Sequence, residues 1–184
     1  MSKLFFSKIL KNIPYVFFKN KQFRPSNLTL LTSDSVLYYL ALHLKFSTSE
    51  RSTQLVELFA YENPLTEGAT SVWKNGSNPV LVYQFHNLFS QKRLFLFVTS
   101  TKNNAVSTPK TLSELFFSSA WLEREAGEMH GICFEGKKDL RNLMLQYGDA
   151  SAPFRKSYPS IGVKETFYDS VTDALVQVPV SIQV

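Results

Sequence analysis

Apolar residues recur at the spacing of an α-helix shortly after the first 33 positions of the chain. The stretch SDSVLYYLALHLKF, residues 33–46, opens with serine and aspartate, which favour a helix N-cap. It then places Val36, Leu37, Leu40 and Leu44 on one face. The pattern predicts an amphipathic helix of about three turns. His43 falls off the apolar stripe, so we expect it to be a surface residue and not a metal ligand.

The hydrophobic period then changes to two, which is typical of β-strands. QLVELFAYEN, residues 54–63, places Leu55, Glu57 and Phe59 on one face of a strand and Val56 and Leu58 on the other. VLVYQFHNLF and RLFLFVTS flank a short SQK turn and predict a hairpin. Both hairpin strands are nearly all apolar, so we expect helices on one face of the sheet and partial cover on the other.

A second helix is predicted after the polar linker TKNNAVSTPK. TLSEL, residues 111–115, places Thr111 and Glu114 at the spacing of a capping box, and Gly131 ends the helical pattern. A helix, strands joined by a hairpin and another helix predict an α+β sandwich. Its sheet is expected to be antiparallel or mixed, with the helices on one side.

Positive charge is concentrated at the start of the chain. Six of the 20 lysines and arginines lie within residues 1–33, which contain no acidic residue; the remaining 14 are set against 15 acidic residues. We therefore divide the chain into a basic N-terminal arm (1–33), an α+β domain (34–136) and a C-terminal extension (137–184). The arm fits an organelle import sequence, a segment lying on an anionic surface, or a solvated terminus. No apolar run is long enough to predict a transmembrane helix.

The segment WLEREAGEMHGICFEG, residues 121–136, gathers several glutamates, an arginine, a histidine and the only cysteine. A helical metal site needs a carboxylate three or four positions from its histidine, and the positions before His130 are Gly127 and Ala126. The spacing therefore argues against a metal. A single cysteine, Cys133, excludes an intrachain disulfide and a cluster held by four thiolates of this chain. We expect Cys133 to be a small buried residue.

Acid/base chemistry stays open for two of the glutamates. Glu125 and Glu128 lie about one helical turn apart and form a candidate carboxylate pair for a small hydrolase. Arg124 precedes Glu128 by four residues, the spacing of a surface ion pair, so a solvated helix end explains the same residues. A basic RNA- or ribosome-associated protein is a further alternative, which only the basic leading segment and overall charge favour.

The C-terminal extension has the pattern of a polar protein interface. Residues 131–162 predict a short helix with Leu140, Leu143 and Met144 buried, flanked by glycine and proline turns, with fixed charges on irregular backbone. VQVPVSIQV, residues 176–184, alternates strictly, but Pro179 bars it from a central strand. We expect this tail to lie along a partner, the alternative being an edge strand of the chain's own sheet.

The LERE run and the residues after it resemble the C-terminal signature of a known family, NADH dehydrogenase subunit 9. This is the 30-kDa-type, or NuoC, subunit of respiratory complex I. The matched positions are Trp121, Leu122, Glu123, Arg124, Glu125, Glu128, Met129, Gly131, Ile132, Phe134, Gly136, Asp139, Leu140, Arg141, Tyr147, Gly148, Pro153, Arg155, Lys156 and Pro159. The resemblance extends more weakly upstream, to the strand before Pro64 and to the hairpin.

The chain departs from the family pattern at several positions. The family usually has a bulky aromatic at Gly127, an aspartate at Glu128 and an aromatic at His130. Further departures fall at Lys137, Lys138, Ser151, Ala152 and Ser157. They suggest a divergent member whose partners have changed alongside it.

The resemblance implies a ferredoxin-like type of α+β fold whose C-terminal extension docks on the large quinone-site subunit and other peripheral-arm subunits. It also implies that this chain binds no cofactor and no nucleic acid, with the iron–sulfur clusters and flavin held by neighbouring subunits. The subunit would support electron transfer from NADH to ubiquinone without a catalytic site of its own. The chain contains 16 phenylalanines, which is consistent with an AT-rich organellar genome and favours a mitochondrial version. Such a subunit is expected on the matrix side of the inner membrane.

The resemblance also implies which positions lie at the partner interface. They are Glu123, Arg124, Glu125, Glu128, Gly131, Phe134, Asp139, Leu140, Arg141, Tyr147, Gly148, Pro153, Arg155, Lys156 and Pro159.

Overall fold

The computed structural model describes residues 27–47, 53–62, 79–89, 91–99 and 108–181. Predictions for most of the N-terminal arm, for the loop around Trp73 and for the last three residues lie outside these ranges. The described elements are, in chain order, β1 (Asn27–Ser33), α1 (Asp34–Phe46), β2 (Thr53–Glu62), β3 (Pro79–Asn87), β4 (Lys92–Thr99), α2 (Ser119–His130), β5 (Lys164–Asp169) and β6 (Ala174–Pro179).

The first four strands form one mixed sheet in the order β1-β4-β3-β2. The predicted hairpin is confirmed, because β3 and β4 pair antiparallel with Tyr83 opposite Leu96 and Phe85 opposite Leu94. β1 pairs parallel with β4 along its whole length. Its residues lie within the segment that the sequence assigned to the N-terminal arm, so the sheet begins before the expected boundary at residue 34.

Both helices contribute to one hydrophobic core on a single face of this sheet. α1 buries Leu37, Leu40 and Leu44, as the helical pattern predicted, and α2 contributes Ala126. Phe85 packs against the ring of Phe116 with 5.4 Å between ring centroids. Each fully buried leucine or phenylalanine contributes roughly 1.5–3 kcal/mol, so this face supplies much of the stability. The predicted α+β class is confirmed.

The expected alternation along β2 is wrong at one point. The register shifts between Leu55 and Glu57, where a β-bulge inserts an extra residue. As a result Leu55 and Leu58 oppose Phe85 and Tyr83, and both are buried on the core face. The sequence-based prediction assumed strict alternation and therefore placed Leu55 and Leu58 on opposite faces.

The predicted capping box at Thr111 is also wrong. Residues 111–118 form turns, and the helix begins only at Ser119. The Thr111 hydroxyl donates to the carboxylate of Glu123 at 2.6 Å and lies 2.9 Å from the Ser113 hydroxyl. Thr111 therefore contributes to a tertiary contact with α2 and does not cap a helix.

The short helix predicted in the C-terminal extension is absent from residues 137–156, which are described throughout. Leu140 and Met144, expected to be buried, are exposed. In a helix, the backbone N–H and C=O groups of this segment would bond to each other. Here, side chains of α2 bind several of these backbone groups instead.

Residues of the predicted tail pair within the chain. β5 and β6 form a separate two-stranded antiparallel sheet, with Phe167 opposite Val176 and Lys164 opposite Pro179. Val176, Val178 and Val180 are half-buried, whereas Gln177 and Pro179 are exposed, so the predicted alternation is confirmed for the described residues. The pairing is that of an edge strand, but in a second sheet and not in the main one.

Candidate partner interface

A buried carboxylate lies at the centre of the family motif. Glu123 is fully buried, and it accepts hydrogen bonds from the Thr111 hydroxyl at 2.6 Å and from the Leu112 N–H at 2.7 Å. Lys137 completes the set, with its Nζ 2.9 Å from Glu123 Oε2 and its side chain only 4% exposed. The same Nζ donates to the Ala120 carbonyl at 2.9 Å. Glu123 is therefore an internal brace and is not available to a partner, contrary to the sequence-based expectation.

Residues 137–156, which we name the strap, lie alongside α2 and run in the same direction. Lys137 contacts the first half of the helix, at Ala120 and Glu123. Farther along the strap, the Phe154 N–H donates to the Met129 carbonyl at 3.0 Å, near the end of the helix. The strap is thus fixed to the helix at both ends.

Arg124 fixes the middle of the strap. Its Nε donates to the Arg141 carbonyl at 2.8 Å, and its Nη2 donates to the Asn142 carbonyl at 3.0 Å. Its Nη1 also lies 3.5 Å from the Asp139 carboxylate. The rigid fork of a guanidinium suits this task, because it donates in several fixed directions at once.

Glu128 binds the strap through the opposite kind of group. Its carboxylate accepts from the Leu143 N–H at 2.9 Å and the Met144 N–H at 2.6 Å. Successive N–H groups that converge on one anion form a backbone nest. The ion pair expected between Arg124 and Glu128 is therefore not formed, because each side chain binds backbone groups of the strap instead.

The C-terminal end of α2 closes on Gly131, which has a φ of 67°. The Gly131 N–H donates to the Gly127 carbonyl, the 5→1 bond of an αL cap, and the Ile132 N–H donates to the same carbonyl at 3.1 Å, the 6→1 bond also found in a Schellman motif. A Cβ at Gly131 would lie 2.4 Å from Nη2 of Arg155. Glycine therefore leaves the space that the Arg155 guanidinium occupies.

Arg155 holds the end of the strap on this turn. Its Nε donates to the His130 carbonyl at 2.8 Å and its Nη2 to the Gly131 carbonyl at 3.2 Å. These carbonyls lie at the negative end of the helix, where a cation is favoured. The next residue, Lys156, donates its N–H to Glu62 at 2.9 Å, which ties the strap to the end of β2.

Gly127 departs from the family's aromatic residue, and its surroundings leave little space for a side chain. A Cβ there would lie 3.0 Å from the carbonyl oxygen of Ile132. Because that oxygen is backbone, a larger residue requires the turn after α2 to move. Gly127 therefore fits the tight turn seen here.

His130 is buried against the strap. Its ring meets the ring of Phe154 edge-on, with 5.6 Å between centroids, and its Nδ1 has no hydrogen-bond partner among the described residues. Burial lowers the pKa of His130 below its usual value, Glu62 acts against that shift and Arg155 adds to it. Sequence reasoning assigned no role to this residue, although it shares a helical stripe with the buried positions Ser119, Glu123 and Ala126.

Asp139 and Arg141 form a local pair at the surface of the strap. Arg141 donates to both carboxylate oxygens, at 3.0 and 2.9 Å. Hydrogen bonding to the Arg141 side chain and backbone holds the pKa of Asp139 well below its usual range. The same pairing raises the pKa of Arg141.

The remaining predicted interface positions divide by exposure. Phe134 is buried in the core. Cys133, which is not one of these positions, was expected to be buried but is exposed, so that prediction is wrong. Leu140, Met144 and Tyr147 are 74%, 64% and 75% exposed. The other positions lie at the surface or are half-buried: Glu125, Gly148, Pro153, Lys156 and Pro159.

No group of three or more His, Cys, Asp or Glu side chains suited to a metal occurs in the described part of the chain. Within the same residues, no helix is long and apolar enough to cross a membrane.

Solved structures share this fold, and two of them illustrate the likeness. One is a chain of the membrane-bound sulfane sulfur reductase, an archaeal respiratory membrane complex, with a TM-score of 0.67, 17% identity and coverage of 87% of this chain and 86% of that one. The other is the trypsin-resistant fragment (1–134) of Nqo5, with a TM-score of 0.52, 19% identity and coverage of 73% and 98%. Both likenesses concern the fold of the chain.

Sequence comparison identifies the family. The model of the respiratory-chain NADH dehydrogenase 30 kDa subunit matches residues 31–164, and the chain belongs to that family.

Curated relatives agree at modest identity. A NADH-quinone oxidoreductase subunit of Methylibium petroleiphilum is 31% identical over 131 residues, covering 71% of this chain and 64% of the relative. NADH-ubiquinone oxidoreductase subunit 9 of Paramecium primaurelia is 37% identical over 132 residues, covering 68% and 60%. NADH-ubiquinone oxidoreductase subunit 9 of Dictyostelium discoideum is 35% identical over 102 residues, covering 55% and 47%. The chain thus spans about half to two thirds of the length of these relatives. None of these relatives supports the alternatives of an RNA-binding protein or a hydrolase.

Proposed function

We propose that this chain is a non-catalytic structural subunit of the peripheral arm of respiratory complex I. In this role it docks on the large quinone-site subunit and supports electron transfer from NADH to ubiquinone by holding neighbouring subunits in place. Family membership supports the assignment to the complex. The relatives carry the names of NADH-quinone and NADH-ubiquinone oxidoreductase subunits.

One structural observation carries the docking role. Charged side chains of α2 bind the backbone of the strap on the side that faces the helix. On the other side, the strap exposes the large apolar side chains of Leu140, Met144 and Tyr147. Apolar groups that are held exposed in a fixed geometry are typical of a surface that another protein covers.

The inner side of the strap also argues against acid/base catalysis. Glu128, one of the two candidate carboxylates, accepts hydrogen bonds from the backbone of the strap. These contacts position the strap and account for the carboxylate without a catalytic role. Removal of Glu128 is therefore expected to act on structure and assembly.

The cofactors and the location follow from the same proposal. The chain binds no cluster, flavin or nicotinamide, and neighbouring subunits hold the iron–sulfur clusters and the flavin. The subunit lies on the matrix side of the mitochondrial inner membrane and is associated with the membrane through the complex. Relatives named NADH-ubiquinone oxidoreductase subunit 9 from two protists support the mitochondrial assignment.

The ferredoxin-like relationship belongs to the same proposal. The order β1, α1, β2, β3 follows the start of the β-α-β-β-α-β pattern, which supports it. β4 comes before α2 and pairs parallel with β1, which is a departure from that pattern. The C-terminal extension, including the β5–β6 ribbon, would then form a docking arm beyond the sheet.

Native electrophoresis of solubilised membranes tests the assignment. A tagged copy of the chain should migrate far above its own 21.0 kDa and coincide with NADH dehydrogenase activity in the gel. Migration as a free monomer would contradict the proposal.

A further inference from the structure

The outer surface of the strap combines exposed apolar side chains with exposed basic ones. We propose that it receives one particular kind of partner surface: an apolar patch of a protein subunit edged by carboxylates. This inference rests on the proposed role as a docking subunit and specifies the chemistry of the partner.

The apolar part is held in place by the inner contacts. Leu140 and Met144 lie on either side of Arg141–Leu143, whose carbonyl and N–H groups are bound by Arg124 and Glu128. The Met144 N–H is itself bound by Glu128 at 2.6 Å. The backbone therefore cannot easily turn these side chains inward, and their apolar surface stays available to a partner.

The charge of the strap is positive. Its 20 residues contain five basic and two acidic side chains, which leaves a net charge of +3. Lys137 is neutralised internally by Glu123, and Asp139 is shared by Arg124 and Arg141. Arg155 donates to two neutral carbonyl groups, so its charge is not cancelled there.

Two further positive groups flank the apolar side chains along the chain, Lys138 before Leu140 and Lys156 after Tyr147. Lys156 is exposed. Lys138 is 3.6 Å from Glu114, but both side chains are highly exposed, and such pairs contribute about 0–1 kcal/mol in water. Both lysines are therefore available to carboxylates of a partner, which would fix the register of docking.

The character of the surface favours a protein over a lipid bilayer. Methionine, tyrosine and arginine are enriched in protein interfaces, and all three are exposed on the strap. A backbone fixed by hydrogen bonds also suits a partner of defined shape. Binding to an anionic membrane is the alternative that the experiment must exclude.

Zero-length cross-linking in the intact complex tests the charge complementarity. A carbodiimide joins lysine amines to carboxylates in direct contact, so Lys138 and Lys156 should be linked to aspartate or glutamate of one partner subunit. Lys138→Arg with Lys156→Arg keeps both charges but removes the amines, so the links should vanish while assembly persists. Links from these lysines only to residues of this chain would overturn the proposal.

Substitution tests the apolar part. Leu140→Ser with Met144→Ser should lower the amount of chain recovered in the complex by about tenfold or more, since apolar side chains central to an interface carry much of its energy. Phe89→Ser is the matched control, because Phe89 is 89% exposed on the β3–β4 turn, away from the strap. Equal recovery of both variants would overturn the proposal while the assignment to the complex stood.

The lipid alternative has its own outcome. The chain is mixed with phosphatidylcholine vesicles that contain phosphatidylserine and is then floated on a gradient. Absence of the chain from the vesicle fraction supports the protein partner. Flotation that the Leu140→Ser, Met144→Ser variant abolishes would overturn it. A chain found only as a monomer in native gels would instead contradict the proposed function itself.

Discussion

Lys137 and Glu123 form an ion pair that is almost wholly shielded from water, with Nζ and Oε2 2.9 Å apart and side-chain exposures of 4% and 0%. Lys137→Met leaves the carboxylate buried without its cation, so we expect the free energy of unfolding to fall by about 3–5 kcal/mol. Urea unfolding followed by circular dichroism measures the change. Lys138→Met is the control, because its pair with Glu114 is exposed and should contribute within about 0.5 kcal/mol. Equal effects of the two substitutions would contradict the brace.

Gly131 and Gly162 offer a matched comparison. Both have positive φ, at 67° and 88°, but a Cβ would meet Arg155 at Gly131 and nothing within 4 Å at Gly162. Alanine in a left-handed conformation costs about 1–2 kcal/mol at either site. We expect Gly131→Ala to destabilise the chain more than Gly162→Ala, because it also displaces the guanidinium. The difference in denaturation midpoints measures the Arg155 contact, and a difference of zero would show that the contact is dispensable.

Glu128 should protect the amides that it binds. Glu128→Gln removes the charge that faces the Leu143 and Met144 N–H groups. Hydrogen bonds to charged groups contribute about 1.5–3 kcal/mol, so exchange of these two amides should accelerate roughly tenfold or more. Glu125→Gln, on the same helix, serves as the control and should leave their exchange unchanged. Hydrogen-exchange mass spectrometry of the peptide that contains residues 141–146 reports both.

His130 predicts a loss of stability in mild acid. Its pKa in the folded chain lies below the usual value of 6.5, chiefly because the ring is buried, with Arg155 adding to the shift and Glu62 opposing it. The unfolded chain therefore binds the proton more readily, so stability is fully present above pH 6.5 and falls as the pH drops through the folded value. His130→Phe should flatten this decline by up to about 1.4 kcal/mol per pH unit.

Unfolding measured between pH 7.5 and 5 tests this sign. A slope that His130→Phe leaves unchanged would assign the acid sensitivity to other groups.

The elements that follow from periodicity were predictable from the sequence. α1 and the β3–β4 hairpin lie where the spacing of apolar residues placed them. The bulge in β2 was not predictable, because one extra residue reverses the alternation without altering composition, and Leu55 and Leu58 then share a face.

The contacts between the strap and α2 could not be predicted from the sequence, for a different reason. Spacing rules pair side chains with side chains on one helix, whereas Arg124 and Glu128 bind backbone groups 15–18 positions away. Glu123 did leave a signal, because it lies on the same helical stripe as Ser119, Ala126 and His130. A carboxylate on the buried side of a helix requires a cation, and Lys137 supplies it.

The strap lies within a few residues of the helix that holds it, and this short separation bears on the kinetics of assembly. Closing a short loop loses little chain entropy, so the strap is expected to form together with α2 and before a partner arrives. Partner binding would then require no folding step. Its rate would be set by diffusion and by the positive charges of Lys138 and Lys156, and would therefore fall as ionic strength rises.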